Sequence, residues 1–250
     1  RGIDEYNRHA ITKISNIHFA ATKKSKERII KMGEDKKNVI HTGSPSIDEI
    51  RISKISSKQE LEKKYVVDLE KPLFVLLQHP VTTEFEKTHS QIKITLDSLS
   101  KLKNQTIAIL PNSDAGNEQI IKQLKIFSKK NNFLKIFPNL PRNDYLGFLK
   151  YCSALVGNSS SGIIECSYFN TPAINIGIRQ LGREKDLNVI DVPTFSKPLI
   201  INALKKSIKK KNKKIKKSSI YGNGNASKKI VQYLETHQIN SEIIHKKLTY

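Results

Sequence analysis

A loop of small polar residues follows a short apolar run in the second half of the chain. The run at 154–156 predicts a buried strand, and the segment GNSSSG, residues 157–162, follows it directly. Apolar residues then recur at helical spacing, so a helix is expected from about residue 163. Backbone N–H groups and the hydroxyls of Ser159 and Ser160 can then face one point, where the helix dipole favours negative charge. The pattern predicts an anion site, usually for phosphate; a serine-rich helix cap that binds nothing is the alternative.

Four further side chains stand where a nucleotide-sugar would need them. Glu165 lies in the first turns of the expected helix, where a carboxylate can accept hydrogen bonds from a sugar diol. His79 follows an apolar run and can donate to a phosphate or exchange a proton. Asn112 lies in the loop LPNSDAG, and Arg179 follows the apolar run at 173–176, where an arginine matches a pyrophosphate in charge and geometry. Structural roles stay open for three of these residues: a capping histidine for His79, a turn for Asn112 and a surface salt bridge for Arg179.

The helix predicted at 4–15 crowds ionisable groups into its first turns. Glu5 and His9 are four residues apart and share a face. Asp4 and Arg8 have the same spacing. Neighbouring carboxylates can have their pKa values pushed apart, which suits general acid and base catalysis. An ordinary acidic helix start is the alternative.

Strands and helices alternate along most of the chain, which predicts an α/β fold with a doubly wound parallel sheet. Ligands of such sheets bind beyond the carboxyl ends of the strands, so the loops after strands should carry the chemistry. The predicted strands are 17–20, 39–41, 73–77, 106–110, 133–136, 154–156 and 173–176. The predicted helices are 4–15, 23–32, 85–102, 117–129 and 143–151, the one after residue 162, one in the lysine-rich region, and a last one capped by Asn225 or Ser227.

The composition indicates a globular cytoplasmic protein. Of 250 residues, 37% are hydrophobic, and the sequence has neither a run of 18 apolar residues nor a signal peptide. Cys152 and Cys166 lack metal or redox spacing and are expected as buried, reduced thiols. No metal-ligand cluster appears, and we predict no metal and no cofactor. Because the chain begins abruptly at Arg1, we expect a fragment that lacks an upstream part.

The net charge of +21 raises the question of nucleic-acid binding. Residues 197–217 contain ten lysines and no acid, but neither an arginine nor an aromatic residue that would read bases. Apolar residues at helical spacing interrupt the lysines, which favours a solvated lysine face on a surface helix. We therefore expect weak attraction to polyanions and no specific nucleic-acid partner.

Several longer motifs stand out along the chain: IDEYNRHAITKIS, MGEDKKNVIHTGSPSID, LLQHPVTTE, LPNSDAG, VGNSSSGIIE, TPAINIGIRQLGRE and YGNGNAS. Taken together in order and spacing, from residue 1 to about 235, they resemble the hydrolysing UDP-N-acetylglucosamine 2-epimerases. The last motif has Asn223 where many relatives have aspartate. The resemblance implies a GT-B architecture of two Rossmann-like domains with the active site in the cleft between them. Residues 1–43 would be the end of the N-terminal domain, and residues 44–220 would form the UDP-binding domain. Residues 221–250 would form a C-terminal helix that crosses back toward the N-terminal domain.

The resemblance also implies roles for the residues singled out above. Ser159, Ser160 and Arg179 match the diphosphate site, and Glu165 matches the group that holds the ribose hydroxyls. His79 and Asn112 match cleft residues. Asp4, Glu5 and Arg8 match an acidic cluster beside the sugar, with Glu5 or Asp4 as the base that removes the C2 proton. His79 would move a proton or anchor phosphate, and the sequence does not choose between the two.

The implied reaction is release of UDP and N-acetylmannosamine from UDP-N-acetylglucosamine, through a 2-acetamidoglucal intermediate, for sialic-acid-type sugars. The same reaction on UDP-N,N′-diacetylbacillosamine is an open alternative. So are a GT-B glycosyltransferase with a similar UDP site and a non-enzymatic protein that binds polyanions through its lysines. The expected partner is the UDP-sugar, without a membrane, and the resemblance implies a homodimer or homotetramer.

Overall fold

The computed structural model describes residues 3–211, 220–237 and 245–246, with side chains from residue 5 onward. The helices within these ranges are α1 (Ile3–Ile14), α2 (Lys23–Lys31), α3 (Pro45–Ile52), α4 (Lys58–Tyr65), α5 (Thr88–Leu102), α6 (Asn117–Ser128), α7 (Arg142–Tyr151), α8 (Glu165–Phe169), α9 (Lys197–Lys211) and α10 (Ala226–Thr236). The strands are β1 (His18–Ala20), β2 (Val39–His41), β3 (Leu73–Leu77), β4 (Gln105–Ile109), β5 (Leu134–Phe137), β6 (Ala154–Gly157), β7 (Ala173–Ile176) and β8 (Val189–Val192). Turns of 3₁₀ helix occur at Lys36–Asn38, Thr82–Lys87 and Ser160–Gly162.

Backbone contacts divide the described residues into two units. Residues 3–53 group with 220–237 and 245–246, and residues 54–211 form the other unit. Helix α3 belongs to the first unit because it packs against α10. The domain boundary expected after residue 43 would instead assign α3 to the second domain, so the domain ranges remain a prediction.

The first unit contains a parallel pair of strands, β1 and β2, with α1, α2, α3 and α10. Asp48 on α3 caps α10: its carboxylate accepts hydrogen bonds from the backbone N–H groups of Ala226 at 2.9 Å and Ser227 at 2.5 Å. Asn225 occupies the N-cap position, as expected, but its side chain makes no capping hydrogen bond. The cap therefore comes from another helix, far away in sequence.

Buried Glu34 holds two lysines and a histidine of the first unit together. Its carboxylate lies 3.1 Å from Lys13 Nζ, 3.1 Å from His18 Nε2 and 2.6 Å from Lys246 Nζ. Lys246 also donates to backbone carbonyls at the end of α1, where a cation is favoured by the helix dipole. A buried carboxylate needs such partners to offset its desolvation.

The second unit is a six-stranded parallel sheet in the order β5-β4-β3-β6-β7-β8. Helices cover both faces. Apolar side chains of α5, α6 and α9 pack on one face, and those of α4, α7 and α8 on the other. Central strands β3 and β6 are buried along their whole length, as their continuous apolar sequences predict. The doubly wound parallel sheet expected from the sequence is therefore present.

Two elements differ from the sequence prediction. Strand β8 was not predicted, because it is a half-exposed edge strand with a central Asp191 that breaks its apolar run. Its register is supported by a hydrogen bond from Asn175 Nδ2 to Asp191 Oδ1 at 2.7 Å. The helix expected from about residue 163 is present as the short helix α8, which has five residues and begins at Glu165; the serine loop before it contains a 3₁₀ turn.

The remaining expectations concern cysteines, lysines and membranes. Cys152 and Cys166 are both buried and unpaired, as expected. On α9, Ile200 and Leu204 are buried while neighbouring lysines are exposed, which agrees with a solvated lysine face; residues 212–217 of the lysine-rich run lie outside the described residues. In the described ranges, no helix combines the length and apolar character needed to cross a bilayer.

Candidate functional site

The candidate site lies where the strand order of the sheet reverses. From β3 the chain proceeds outward through β4 to β5, then returns to place β6 on the other side of β3. Such a reversal opens a crevice beyond the carboxyl ends of the two central strands, where ligands of doubly wound sheets bind. His79 follows β3 and the serine-rich loop follows β6, so both predicted motifs stand at this crevice.

Gly157 allows these two strand ends to approach closely. It lies in register with Leu77 and has a φ of +133°. A Cβ atom at this position would lie 2.1 Å from the carbonyl oxygen of Leu77, well inside van der Waals contact. Only glycine fits here, because both the backbone conformation and the space exclude a side chain.

Asn158 joins the loops that follow β3 and β6. Its Oδ1 accepts from the backbone N–H of His79 at 2.7 Å, and its Nδ2 donates to the carbonyl of His79 at 2.9 Å. Its own carbonyl accepts from Arg179 at 3.2 Å and from Gln180 Nε2 at 2.9 Å, which brings in the loop after β7. Asn158 is almost completely buried. One side chain and one carbonyl thus hold three strand-end loops together.

His79 contacts the loop after β4. The backbone N–H of Asn112 donates to His79 Nδ1 at 3.2 Å, and the side chain of Asn112 lies 3.1 Å from the same nitrogen. The side-chain atom is Oδ1, which accepts from a protonated Nδ1, whereas the backbone N–H donates to an unprotonated one, so the two contacts suit opposite ring tautomers. Burial, reinforced by the positive charge of Arg179, lowers the pKa of His79 to about 4. The ring is therefore neutral at pH 7, with one of its two nitrogens protonated.

The serine loop satisfies several of its own backbone N–H groups, which its sequence did not suggest. The backbone N–H groups of Gly162 and Ile163 donate to carbonyls of the loop itself, and that of Ser161 donates to the hydroxyl of Ser159. The expectation that these N–H groups all face one point is wrong, because the short 3₁₀ turn satisfies them internally. The loop also carries hydroxyl groups that can donate or accept hydrogen bonds, among them those of half-buried Ser159 and Ser160.

Glu165 is the first residue of α8 and is only 9% exposed. Its Oε1 lies 2.7 Å from a guanidinium nitrogen of Arg142, the first residue of α7. The guanidinium also lies over the ring of Tyr145, 5.9 Å from its centroid. The negative charge of Glu165 adds to burial in raising the pKa of Tyr145 well above its ordinary value. Glu165 thus sits in a defined polar setting rather than in solvent.

The predicted acidic cluster lies in the first unit, on α1. Glu5 forms an ion pair with Arg8 and lies 3.3 Å from His9 Nε2, so its expected pairing with His9 is present. The backbone of Asp4 belongs to α1, but its side chain lies outside the described residues, as does its expected pairing with Arg8. Glu5 is partly exposed and is held by Arg8 and His9 on its own helix.

The second unit brings most of the predicted site residues to one edge of the sheet. His79 touches Asn112, while Ser159, Ser160 and Arg179 adjoin or contact Asn158. Asn158, Gln180 and Arg142 were missed in the sequence, although the position of Asn158 directly after a glycine at the end of β6 could have pointed to it. No local sequence pattern points to Arg142, because its partner Glu165 lies 23 positions further along the chain.

Comparison with known proteins identifies the origin of this arrangement. Residues 2–235 match the sequence profile of a family described as UDP-N-acetylglucosamine 2-epimerase. The chain belongs to this family. It is 35% identical over 248 residues to the UDP-N,N'-diacetylbacillosamine 2-epimerase (hydrolyzing) of Legionella pneumophila, covering 99% of this chain and 65% of that protein. It is 38% identical over 191 residues to the GDP/UDP-N,N'-diacetylbacillosamine 2-epimerase (hydrolyzing) of Campylobacter jejuni, covering 76% of this chain and 50% of that protein. The family member described here thus spans 50–65% of these two relatives' lengths.

Solved structures of UDP-GlcNAc 2-epimerases share its fold. The UDP-GlcNAc 2-epimerase from Neisseria meningitidis, crystallised with UDP-GlcNAc, has a TM-score of 0.75 at 17% identity. The match covers 94% of this chain and 65% of that one. At this identity the likeness establishes the fold alone, and it confirms the α/β class of GT-B type that the sequence resemblance implied.

Proposed function

We propose that the complete protein is a hydrolysing 2-epimerase that releases UDP and a free, 2-epimerised 2-acetamido sugar from a UDP-sugar. The observation that carries the proposal is the convergence on Asn158 of the loops after β3, β6 and β7, in a chain of the epimerase family. These loops carry His79, the serines and Arg179, all suited to a diphosphate. Predominantly electrostatic and hydrogen-bonding groups fit a reaction in which diphosphate leaves with developing negative charge.

The first step of the proposed reaction is an anti elimination. Glu5, or Asp4 as the alternative, takes the proton from C2 of the sugar. The electrons of that C–H bond form the C1–C2 double bond, and the bond from C1 to the diphosphate oxygen breaks. The products of this step are UDP and a 2-acetamidoglucal.

The second step is the addition of water to the double bond. Hydroxyl adds at C1 and a proton adds at C2 on the face opposite to the one that lost it, which inverts C2. In this scheme Arg179 and the hydroxyls of Ser159 and Ser160 stabilise the leaving diphosphate, with Asn112 orienting His79. The same scheme takes neutral His79 in the form with its proton on Nε2, donating that proton to the diphosphate as a hydrogen bond, so it assigns phosphate anchoring to this residue and not proton abstraction.

Two sugars are proposed as substrates, and they differ at C4 and C6. The family description and the sequence motifs favour UDP-N-acetylglucosamine. The names of the two relatives at 35% and 38% identity favour UDP-N,N'-diacetylbacillosamine. Both carry the 2-acetamido group and the UDP that the proposed reaction needs, so the chemistry is common to the two.

The decisive experiment incubates the complete protein with each UDP-sugar in D₂O. We expect UDP release together with a free sugar of inverted C2 configuration that carries deuterium at C2, seen by NMR, for one substrate in preference to the other. A Glu5→Gln variant should lose both UDP release and deuterium incorporation. UDP release without inversion, or sugar transfer only in the presence of an acceptor, would contradict the proposal and favour a hydrolase or glycosyltransferase.

A further inference from the structure

The ion pair between Arg142 and Glu165 joins two elements that the proposed reaction has not used together. Arg142 opens α7 and Glu165 opens α8, and the two helices pack against each other. The guanidinium reaches Oε1 of Glu165 at 2.7 Å, and the carboxylate is 12% exposed while the arginine side chain is 35% exposed. The carboxylate is therefore held from the side of α7 and opens only slightly to solvent.

The Tyr145 ring limits the positions that Arg142 can adopt. Arg142 and Tyr145 are three residues apart on α7, so their side chains lie on one face of the helix. The guanidinium carbon lies 5.9 Å from the ring centroid, within the range of a cation–π contact. Tyr145 is itself 9% exposed and packed in the core beneath α7. A planar guanidinium fixed by a ring on one side and a carboxylate on the other is a rigid support.

We propose that Arg142 is a positioning residue that orients Glu165 to bind the ribose diol of the nucleotide. This inference rests on the proposed UDP-sugar function. With Oε1 engaged by Arg142, the carboxylate has one rotational state, and Oε2 is the oxygen that accepts from the 2′- and 3′-hydroxyls. Without the arginine, the carboxylate would sample several rotamers, and fixing it in one of them would cost free energy when the nucleotide binds. Arg142 acts through Glu165 and does not itself need to contact the ribose.

The test compares UDP with 2′,3′-dideoxy-UDP by calorimetry on the complete protein. Hydrogen bonds to a charged group are worth about 1.5–3 kcal/mol, so the unmodified protein should bind the dideoxy compound roughly 10–100-fold more weakly than UDP. In Arg142→Ala this ratio should collapse toward about 1–3, because UDP affinity falls while dideoxy-UDP affinity hardly changes. Glu165→Gln should show the same collapse.

Two control variants separate positioning from general folding. Arg142→Lys keeps the charge but not the planar fork, and should restore only part of the ratio. Lys93→Ala removes an exposed ion pair with Asp97 on α5 and should leave the ratio unchanged. Thermal unfolding of each variant reports whether it is folded.

The outcomes distinguish this inference from the proposed function. If the unmodified protein binds neither nucleotide, the proposed function fails and this inference fails with it. If it binds UDP with a clear preference over dideoxy-UDP, and Arg142→Ala keeps that preference or weakens both ligands equally, the UDP site stands and the positioning role is wrong. A collapsed ratio in both Arg142→Ala and Glu165→Gln supports it.

Discussion

The side chain of Asn158 and the backbone of His79 form two hydrogen bonds, one in each direction. The side-chain amide bonds to a backbone as a neighbouring strand would, and it extends the link between β3 and β6 beyond the last paired residues, Leu77 and Gly157. Because a buried amide that loses its partners is costly, this relationship fixes the position of His79 as firmly as a strand would.

Replacing Asn158 should therefore affect stability and binding together. In Asn158→Ala, the buried N–H and carbonyl of His79 lose their partners, and we expect a loss of about 1–3 kcal/mol in the free energy of unfolding. UDP affinity should fall as well, because His79 and Arg179 are no longer held together. Denaturant unfolding and calorimetry measure the two effects.

The matched control is Asn131→Ala, which removes an amide whose hydrogen bond goes to the end of the preceding helix α6. Equal effects in both variants would contradict the role of Asn158.

The depressed pKa of His79 predicts a specific pH dependence. In the unfolded chain histidine titrates near 6.5, whereas burial lowers the pKa of His79 to about 4 in the fold. Between these values only the unfolded chain is protonated at this position. The contribution of His79 is thus complete above about pH 6.5 and is lost as the pH falls toward 4. Comparing the pH dependence of unfolding with that of His79→Gln isolates this effect, with exposed His89→Gln as control. A titration of the His79 ring near 6.5 by NMR would contradict it.

Arg179 should influence both His79 and the nucleotide. Its positive charge contributes to the low pKa of His79, so Arg179→Ala should raise that pKa in NMR titrations without added UDP. The same variant should weaken UDP binding by roughly tenfold or more, the usual range for a charged hydrogen bond. Ser160→Ala should weaken binding less and leave the His79 titration in place. Unchanged UDP affinity in both variants would remove them from the diphosphate site.

Gly157 should tolerate no side chain. Gly157→Ala forces a Cβ to within 2.1 Å of the Leu77 carbonyl as well as a positive φ, and we expect a loss of at least about 1–3 kcal/mol. Gly116→Ala shares the positive φ but meets its nearest neighbours, all side-chain atoms, at 3.2 to 3.3 Å, so it combines the backbone cost with a much smaller steric cost. Thermal unfolding should therefore show the larger loss for Gly157→Ala; the reverse order would disprove the close approach of β3 and β6.

Asp48 should stabilise α10. Although burial opposes it, hydrogen bonds from Ser227 and Ala226 hold the pKa of Asp48 below its ordinary value. Asp48→Ala should cost about 0.5–2 kcal/mol, as expected for a lost helix cap. The cap contributes above the ordinary aspartate pKa and is lost as the pH falls through the lowered one. Hydrogen exchange of the first turn of α10 gives a local measurement, and Asp97→Ala on α5 is the control. Unchanged protection of that turn would show that another group provides the cap.

Much of the second unit was predictable because its strands are short apolar runs between turn residues. Strands β3 and β7 begin and end at the residues expected from the sequence. The failures have local causes. Strand β8 lies at an edge, where half-exposed backbone tolerates Asp191. The helix after residue 162 begins only at Glu165, and in the loop before it the Ser159 hydroxyl and the loop carbonyls accept from the backbone N–H groups and form a 3₁₀ turn.

The candidate site shows the same division. His79, Asn112, Ser159 and Arg179 were found because each directly follows a predicted strand, and parallel strands end at one edge of the sheet. Residue types and order along the chain therefore determined the fold class, the family and the loops that carry polar groups. Only the tertiary structure decided which of these groups meet: Asn158 with His79, and Arg142 with Glu165. The physical reason is that these contacts depend on strand order and helix packing, which bring together residues separated by 79 and 23 positions, and no local pattern records such distances.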